Sequence, residues 1–316
     1  MVEVRSQKSE VRGKKQEARE PPAFVILHLA SEKLIAISDL IRLPKQYGTL
    51  LLLCPTLWSL FIASGGRPPL KILGIFILGT FLMRSAGCAI NDIADRNFDK
   101  YVERTKTRPL ASGRLSLKEA MLIFAALSGL AFILVLFLNP LTIALSIIGI
   151  SLASIYPFIK RVSHLPQVFL GIAFGWGAIM AWSAVHNTID LPAILIFIAN
   201  IFWSTAYDTV YALMDKEDDI KIGVKSTAIL FGGHVYTALY LFYAAVAIIL
   251  VAAGWIAKMG SIYFVILFAA GIILEYMVSM LKKSPTRETA FRIFIANAGI
   301  GLFILAGIAA DYVLSK

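Results

Sequence analysis

Apolar positions along this chain come in long unbroken runs, not in the alternating or three-and-four spacing of soluble strands and helices. A helix needs about 20 apolar residues to cross a bilayer. Runs of that kind fall at 48–63, 70–90, 120–138, 141–158, 165–185, 191–214, 235–254, 262–281 and 291–314. The pattern predicts an all-α integral membrane bundle of nine transmembrane helices. Asn139-Pro140 supplies a tight turn that divides the third run from the fourth. Two stretches precede the first run. Residues 1–30 read as a disordered cytoplasmic arm, polar and mixed in charge as far as Pro21-Pro22. Residues 31–42, SEKLIAISDLIR, read as an amphipathic surface helix, and 31–316 as the transmembrane domain.

The interruptions carry the charge. Placed on a nine-span topology, 25 of the 30 Lys and Arg residues lie on one side of the membrane. Only Arg67, Lys71, Lys258 and Lys316 lie on the other, and Arg84 falls inside the second span. The positive-inside rule then sets the N-terminus and this basic face in the cytoplasm. Composition agrees: the 316 residues are 58% hydrophobic and 16% charged, whereas soluble domains hold about 25% charged residues. The net charge of +10 therefore reads as basic loops against a membrane surface and not as a nucleic-acid footprint. The two cysteines, Cys54 and Cys88, lie in apolar runs and make neither a disulfide scaffold nor a zinc site.

The acids break the pattern. Nine of the 20 Asp and Glu residues crowd into two short stretches at the basic face. Asp92, Asp95, Asp99 and Glu103 follow the second span; Asp208, Asp215, Glu217, Asp218 and Asp219 close the sixth. Clustered carboxylates at a membrane boundary repel one another and need a cation. Asn91, Asp95 and Asp99 are spaced four apart, as are Tyr211, Asp215 and Asp219, so each set forms a ladder along one helical face. Two matched ladders suggest an internal repeat with a shared site between its halves. Hard oxygen donors suit Mg²⁺, which takes one or two carboxylates and completes its shell with water and phosphate oxygens. Facing ladders would thus hold Mg²⁺ ions bridging a diphosphate. Cations for its remaining charge are at hand in Arg42, Lys45, Arg96, Arg104, Lys106, Arg108, Lys160, Arg161, Lys216 and Lys225. A cation-coupled transporter would set its acids near the bilayer midplane, and these lie at one face.

Asn91-Asp92-Ile93-Ala94-Asp95-Arg96-Asn97-Phe98-Asp99, followed by Arg108-Pro109-Leu110-Ala111-Ser112-Gly113, resembles the first aspartate-rich motif of the UbiA superfamily of membrane prenyltransferases. Tyr207-Asp208-Thr209 through Asp219, followed by Lys221-Ile222-Gly223-Val224-Lys225-Ser226-Thr227, resembles the second. Arg42-Leu43-Pro44-Lys45 before the first span, and Tyr156-Pro157-Phe158-Ile159-Lys160-Arg161, are similar to the branch acting on 4-hydroxybenzoate in ubiquinone synthesis; Gln46 stands where a proline is expected. The resemblance implies nine helices around a central cavity under cytoplasmic cap loops, in a bacterial inner membrane. It also implies Mg²⁺-dependent transfer of a polyprenyl chain from its diphosphate to the ring carbon ortho to the phenol. On that reading Asp92, Asp95, Asp99, Asp215 and Asp219 hold Mg²⁺. Asn91, Tyr211, Arg42, Lys45, Lys160, Lys216 and Lys225 bind substrate. Arg96, Arg161, Asp208 and Asp215 serve the chemistry, with Arg42 or Arg161 taking the aromatic carboxylate.

Overall fold

Three helices begin at residues whose side chains cap them: Ser116, Asn139 and Ser226. The computed structural model describes residues 22–314 and contains α1 (Pro22–Leu40), α2 (Tyr47–Ala63), α3 (Leu70–Asp95), α4 (Leu117–Val135), α5 (Pro140–Ile159) and α6 (Pro166–His186). It continues with α7 (Leu191–Ala212), α8 (Lys216–Ile222), α9 (Thr227–Phe231), α10 (Val235–Ile256), α11 (Ser261–Lys283) and α12 (Arg287–Leu314). Ser116 starts α4 with a capping box, its hydroxyl taking the Glu119 amide while the Glu119 carboxylate takes the Ser116 amide. Asn139 caps α5 through the Thr142 amide, with Pro140 in the first turn. No strand occurs among the described residues.

Eight helical segments among the described residues are long and apolar enough to cross a membrane. α2, where the first span is expected, is apolar but has 17 residues. The expected arm over 1–30 lies outside the described residues as far as 21, and α1 already begins at Pro22, ahead of the anticipated helix at 31. Both ladders depart from the expected single helical face. α3 ends at Asp95, the backbone turns, and Asp99 opens a 3₁₀ turn, Asp99–Tyr101. α7 ends at Ala212, Asp215 stands just before the short α8 without capping it, and Asp219 lies within α8. Each acidic set is therefore a helix end plus a loop that folds back.

Most of the core lies among α2, α6, α7, α10, α11 and α12. Trp58 and Trp203 stack at 5.1 Å between centroids, and Asn297 takes the Trp203 indole (2.9 Å) and the Tyr243 hydroxyl (3.2 Å). α6 and α7 approach so closely at Gly171 that a Cβ there would stand 2.9 Å from the Ile201 backbone, the use small residues have between membrane helices. A second, smaller core joins Ala36 and Leu40 of α1 to Ala89 and Ile93 of α3, Leu110 and Leu115 of the intervening loop, and Ala120 of α4.

Candidate active site

A cavity of about 950 Å³ opens among the C-terminal ends of α3, α5 and α7 and the N-terminal ends of α2, α6 and α12. Both acidic sets reach it: Asn91, Asp92, Asp95 and Asp99 from one side, and Asp208, Tyr211, Asp215 and Asp219 from the other. Ladders separated by more than 100 residues in sequence thus face one space.

Three buried carboxylates of the first set, Asp92 (1% exposed), Asp95 (3%) and Asp99 (6%), share one cation. The Arg108 guanidinium lies 3.3 Å from Asp92, 3.9 Å from Asp95 and 2.9 Å from Asp99. Arg42 adds a 2.7 Å bond to Asp92, and the Lys160 ammonium a 2.5 Å bond to Asp95. In the second set the Arg104 guanidinium grips Asp215 with two bonds, 2.9 Å from Nε and 2.5 Å from Nη2. It donates to the Tyr211 hydroxyl at 2.7 Å and lies over that ring at 5.1 Å. Arg104 comes from the loop of the first set, so it also ties the two sets together across the cavity mouth.

Desolvation, reinforced by the charge of Asp215, pushes the Asp219 carboxyl up to about 6. Desolvation likewise raises Asp99, against the opposing pull of Arg108. The acids are under-compensated: Asp92 Oδ2 and Asp95 Oδ1 are buried without a hydrogen-bond partner. Orphaned carboxylate oxygens beside hard donors fit Mg²⁺. Among the described residues no three Asp, Glu, His or Cys side chains converge into a cage, so water and diphosphate oxygens would have to complete the shell.

The basic candidates divide. Lys45, Lys160, Arg161 and Lys225 line the cavity, as does Arg42. Arg42 is spent on Asp92, and the Lys225 ammonium reaches the Val162 carbonyl at 3.2 Å. Arg161 stacks on Phe98 and Phe158, at 4.9 and 5.5 Å, and donates to the Ala94 carbonyl. Arg96 and Lys216 are not in the lining; each follows an acid that is, and one residue of helix turns about 100° away from it. Arg96 instead donates back to the Ile93 carbonyl at 2.8 Å.

Arg84 belongs to neither acidic motif and yet reaches the site. It stands in the wall of the cavity, 11 residues before the end of α3, contacts the Cys88 sulfur, and keeps its Nε buried without a partner. Gly48 makes room for it: a Cβ there would fall 2.5 Å from the guanidinium. A charge inside an apolar span is itself a functional signal, and that signal was present in the sequence. Arg84, Tyr156 and Phe174 are shared with a second cavity of about 490 Å³, whose other walls are mostly apolar and include Phe76, Met83, Phe132 and Trp176.

Comparison with known proteins decides what this arrangement is. The UbiA prenyltransferase family profile matches residues 52–305. The chain belongs to the UbiA prenyltransferase family. Family members of similar sequence include the 4-hydroxybenzoate octaprenyltransferase of Citrobacter koseri, 47% identical over 285 residues, which are 90% of this chain and 98% of that one. Another, from Actinobacillus pleuropneumoniae, carries the same name and is 48% identical over 91% of this chain and 99% of its own. Among solved structures, an apo UbiA homologue from Aeropyrum pernix K1 superposes with a TM-score of 0.73 at 27% identity, covering 83% of this chain and 97% of that chain. A UbiA homologue from Archaeoglobus fulgidus, solved with GPP and Mg²⁺, has the same fold, with a TM-score of 0.69 at 18% identity over 88% of this chain and all of that one.

Proposed function

We propose that this UbiA-family chain transfers a polyprenyl group from polyprenyl diphosphate to the ring carbon ortho to the hydroxyl of 4-hydroxybenzoate, a step of ubiquinone synthesis. The observation that carries the reading is the joining of two acidic sets, each gripped by arginine, in one cavity that shares a wall with an apolar one. The names and high coverage of the curated relatives support it. The prenyltransferase sits in a bacterial inner membrane with its acidic cavity on the cytoplasmic side, as the charge asymmetry favours. α2 serves as the ninth span: its 17 residues rise about 25 Å, close to the roughly 30 Å hydrocarbon core.

Asp92, Asp95 and Asp99 with Asp215 and Asp219 would hold Mg²⁺. When bound, Mg²⁺ neutralises the diphosphate and makes it a better leaving group. The chain's own cations do the rest of the binding. Arg104, Arg108 and Lys160, already beside the carboxylates, and Lys225 at the rim take diphosphate oxygens and stabilise the charge that grows as the allylic C–O bond breaks. Asn91 and Tyr211 orient the group by hydrogen bonds. The isoprenoid lies in the apolar cavity, whose walls keep water from the allylic cation. Arg84, whose Nε is buried without a partner, takes the acceptor's carboxylate in place of Arg42 and Arg161, which lie against Asp92 and the end of α3. Asp208 lines the same space and accepts the phenol proton as the ring carbon bonds to the prenyl carbon and the diphosphate leaves; the ring carbon then gives its own proton to the departing diphosphate, and Asp208 returns its proton to the phenol oxygen.

The decisive assay uses membranes, labelled geranyl diphosphate and 4-hydroxybenzoate, with and without EDTA. Prenylated product is expected only with Mg²⁺, and Asp95→Ala or Asp215→Ala should lower the rate at least about a hundredfold. Normal rates in either variant would overturn the reading.

A further inference from the structure

α1 lies beside the spanning bundle, and its contacts divide by face. Ala36 and Leu40 are buried in the small core under the first acidic loop. Leu34 (67% exposed) and Ile35 (58%) face outward. Large apolar side chains exposed side by side on a helix call for a covering, and their position says which. Lys33 donates to Glu119 in the first turn of α4 at 2.8 Å, which sets α1 alongside that turn. There Leu117, Met121 and Leu122 are also exposed, on a helix long and apolar enough to span. The outward face of α1 therefore continues a surface that lipid must cover.

The same helix is bonded to the acidic loop at two further points. Asp39 pairs with Arg114 at 2.7 Å. Arg42, just past the helix end, reaches Asp92 at 2.7 Å while donating to the Asp39 carbonyl at 2.5 Å. Arg42 holds a left-handed backbone, φ 57°, a strained state for a side-chain-bearing residue that persists only where its surroundings hold it. The Gln46 amide bonded to the Arg42 carbonyl at 3.2 Å is part of that hold. Moving α1 moves Arg42, and moving Arg42 releases Asp92.

We propose that α1 is seated in the lipid interface on the side of the acidic loops, and that Arg42 is a positioning residue through which this seating sets Asp92 and the cation affinity of the first acidic set. The occupant is phospholipid, not protein. The coupling rests on the prenyl-diphosphate reading of the cavity; the seating does not.

Two measurements test it on the full chain in vesicles of phosphatidylethanolamine and phosphatidylglycerol. The native cysteines are buried, so a spin label at Leu34→Cys reports locally, with unsubstituted protein as the blank and Glu217→Cys, exposed on α8, as the water reference. Seating predicts strong broadening by oxygen and weak broadening by a soluble nickel complex. A nickel response equal to that at Glu217→Cys overturns it. Dipolar broadening between labels that fades on dilution with unlabelled protein also overturns it, in favour of a second copy. For the coupling, the Mg²⁺ concentration that half-saturates the thermal-stability increase is compared between the parent and Leu34→Glu/Ile35→Glu. A severalfold fall is expected, because Asp92 freed of Arg42 is open to the cation, with a cooperative ligand-free transition retained and the parent value kept in Leu34→Met/Ile35→Leu. An equal half-saturation point in parent and variant overturns the coupling alone. A parent that Mg²⁺ does not stabilise overturns the cavity reading and the coupling together, while the label still decides the seating.

Discussion

Residues in this site take their roles from the partners they hold and from those they lack. Arg84 is the clearest case, because its Nε is buried with nothing to bond and the space for it exists only through Gly48. Arg84→Ala should raise KM for 4-hydroxybenzoate by about a hundredfold and leave KM for the prenyl diphosphate nearly unchanged; steady-state kinetics with each substrate varied in turn check the split. Asp219 gives a pH prediction. Its carboxyl keeps a proton up to about pH 6, against an ordinary value of 3.8. Protonation competes with a bound cation, so half-saturating Mg²⁺ should climb as pH falls through about 6, and Asp219→Asn should flatten that climb. Stability without Mg²⁺ runs the other way. The native state binds this proton more tightly than the unfolded chain, so the contribution is full below the ordinary carboxylate value and is lost as pH rises toward about 6. Thermal unfolding in detergent across that range measures it.

At the level of elements, the helices and some of their starts are legible in the sequence, and the acidic C-terminal ends of α3 and α7 are not. Apolar runs and caps such as Ser116 and Asn139-Pro140 mark where helices start, because capping is a local interaction. The acidic ladders looked like continuous helical faces, yet α3 stops at Asp95 and α7 at Ala212. What bends them is long-range: Arg108 folds back over Asp92 and Asp99, and Arg104 crosses to Asp215. No spacing rule contains a contact between positions 104 and 215. Helix packing supplies a prediction of its own kind. Gly171→Ala would press a Cβ onto the Ile201 backbone, which cannot swing aside as a side chain would. It should destabilise the protein by about 1–3 kcal/mol, read as a lower Tm in detergent, and Gly171→Ser should cost at least as much.

Across the whole molecule, two cavities of opposite character share a wall. One is ringed by charge; the other is nearly apolar and shares Arg84, Tyr156 and Phe174 with it. If the apolar cavity takes the isoprenoid, filling it should select against long chains while sparing short ones. Ala153→Phe, in its wall, is expected to lower the rate with a long polyprenyl diphosphate about tenfold and to leave geranyl transfer within about twofold. Competition between the two donors in one reaction gives the ratio directly. The sequence by itself determined the membrane class, the helical runs, the gathering of acids into two short stretches and the residue types able to hold a metal diphosphate. All of these follow from local composition and periodicity. Only the tertiary structure decided that residues 92 and 215 face one cavity, that Arg42 serves Asp92, that Arg96 and Lys216 lie outside the lining, and that Arg84 stands between two cavities. Burial, charge compensation and the room left by a glycine are properties of space around a residue, and that space exists only once distant helices have packed.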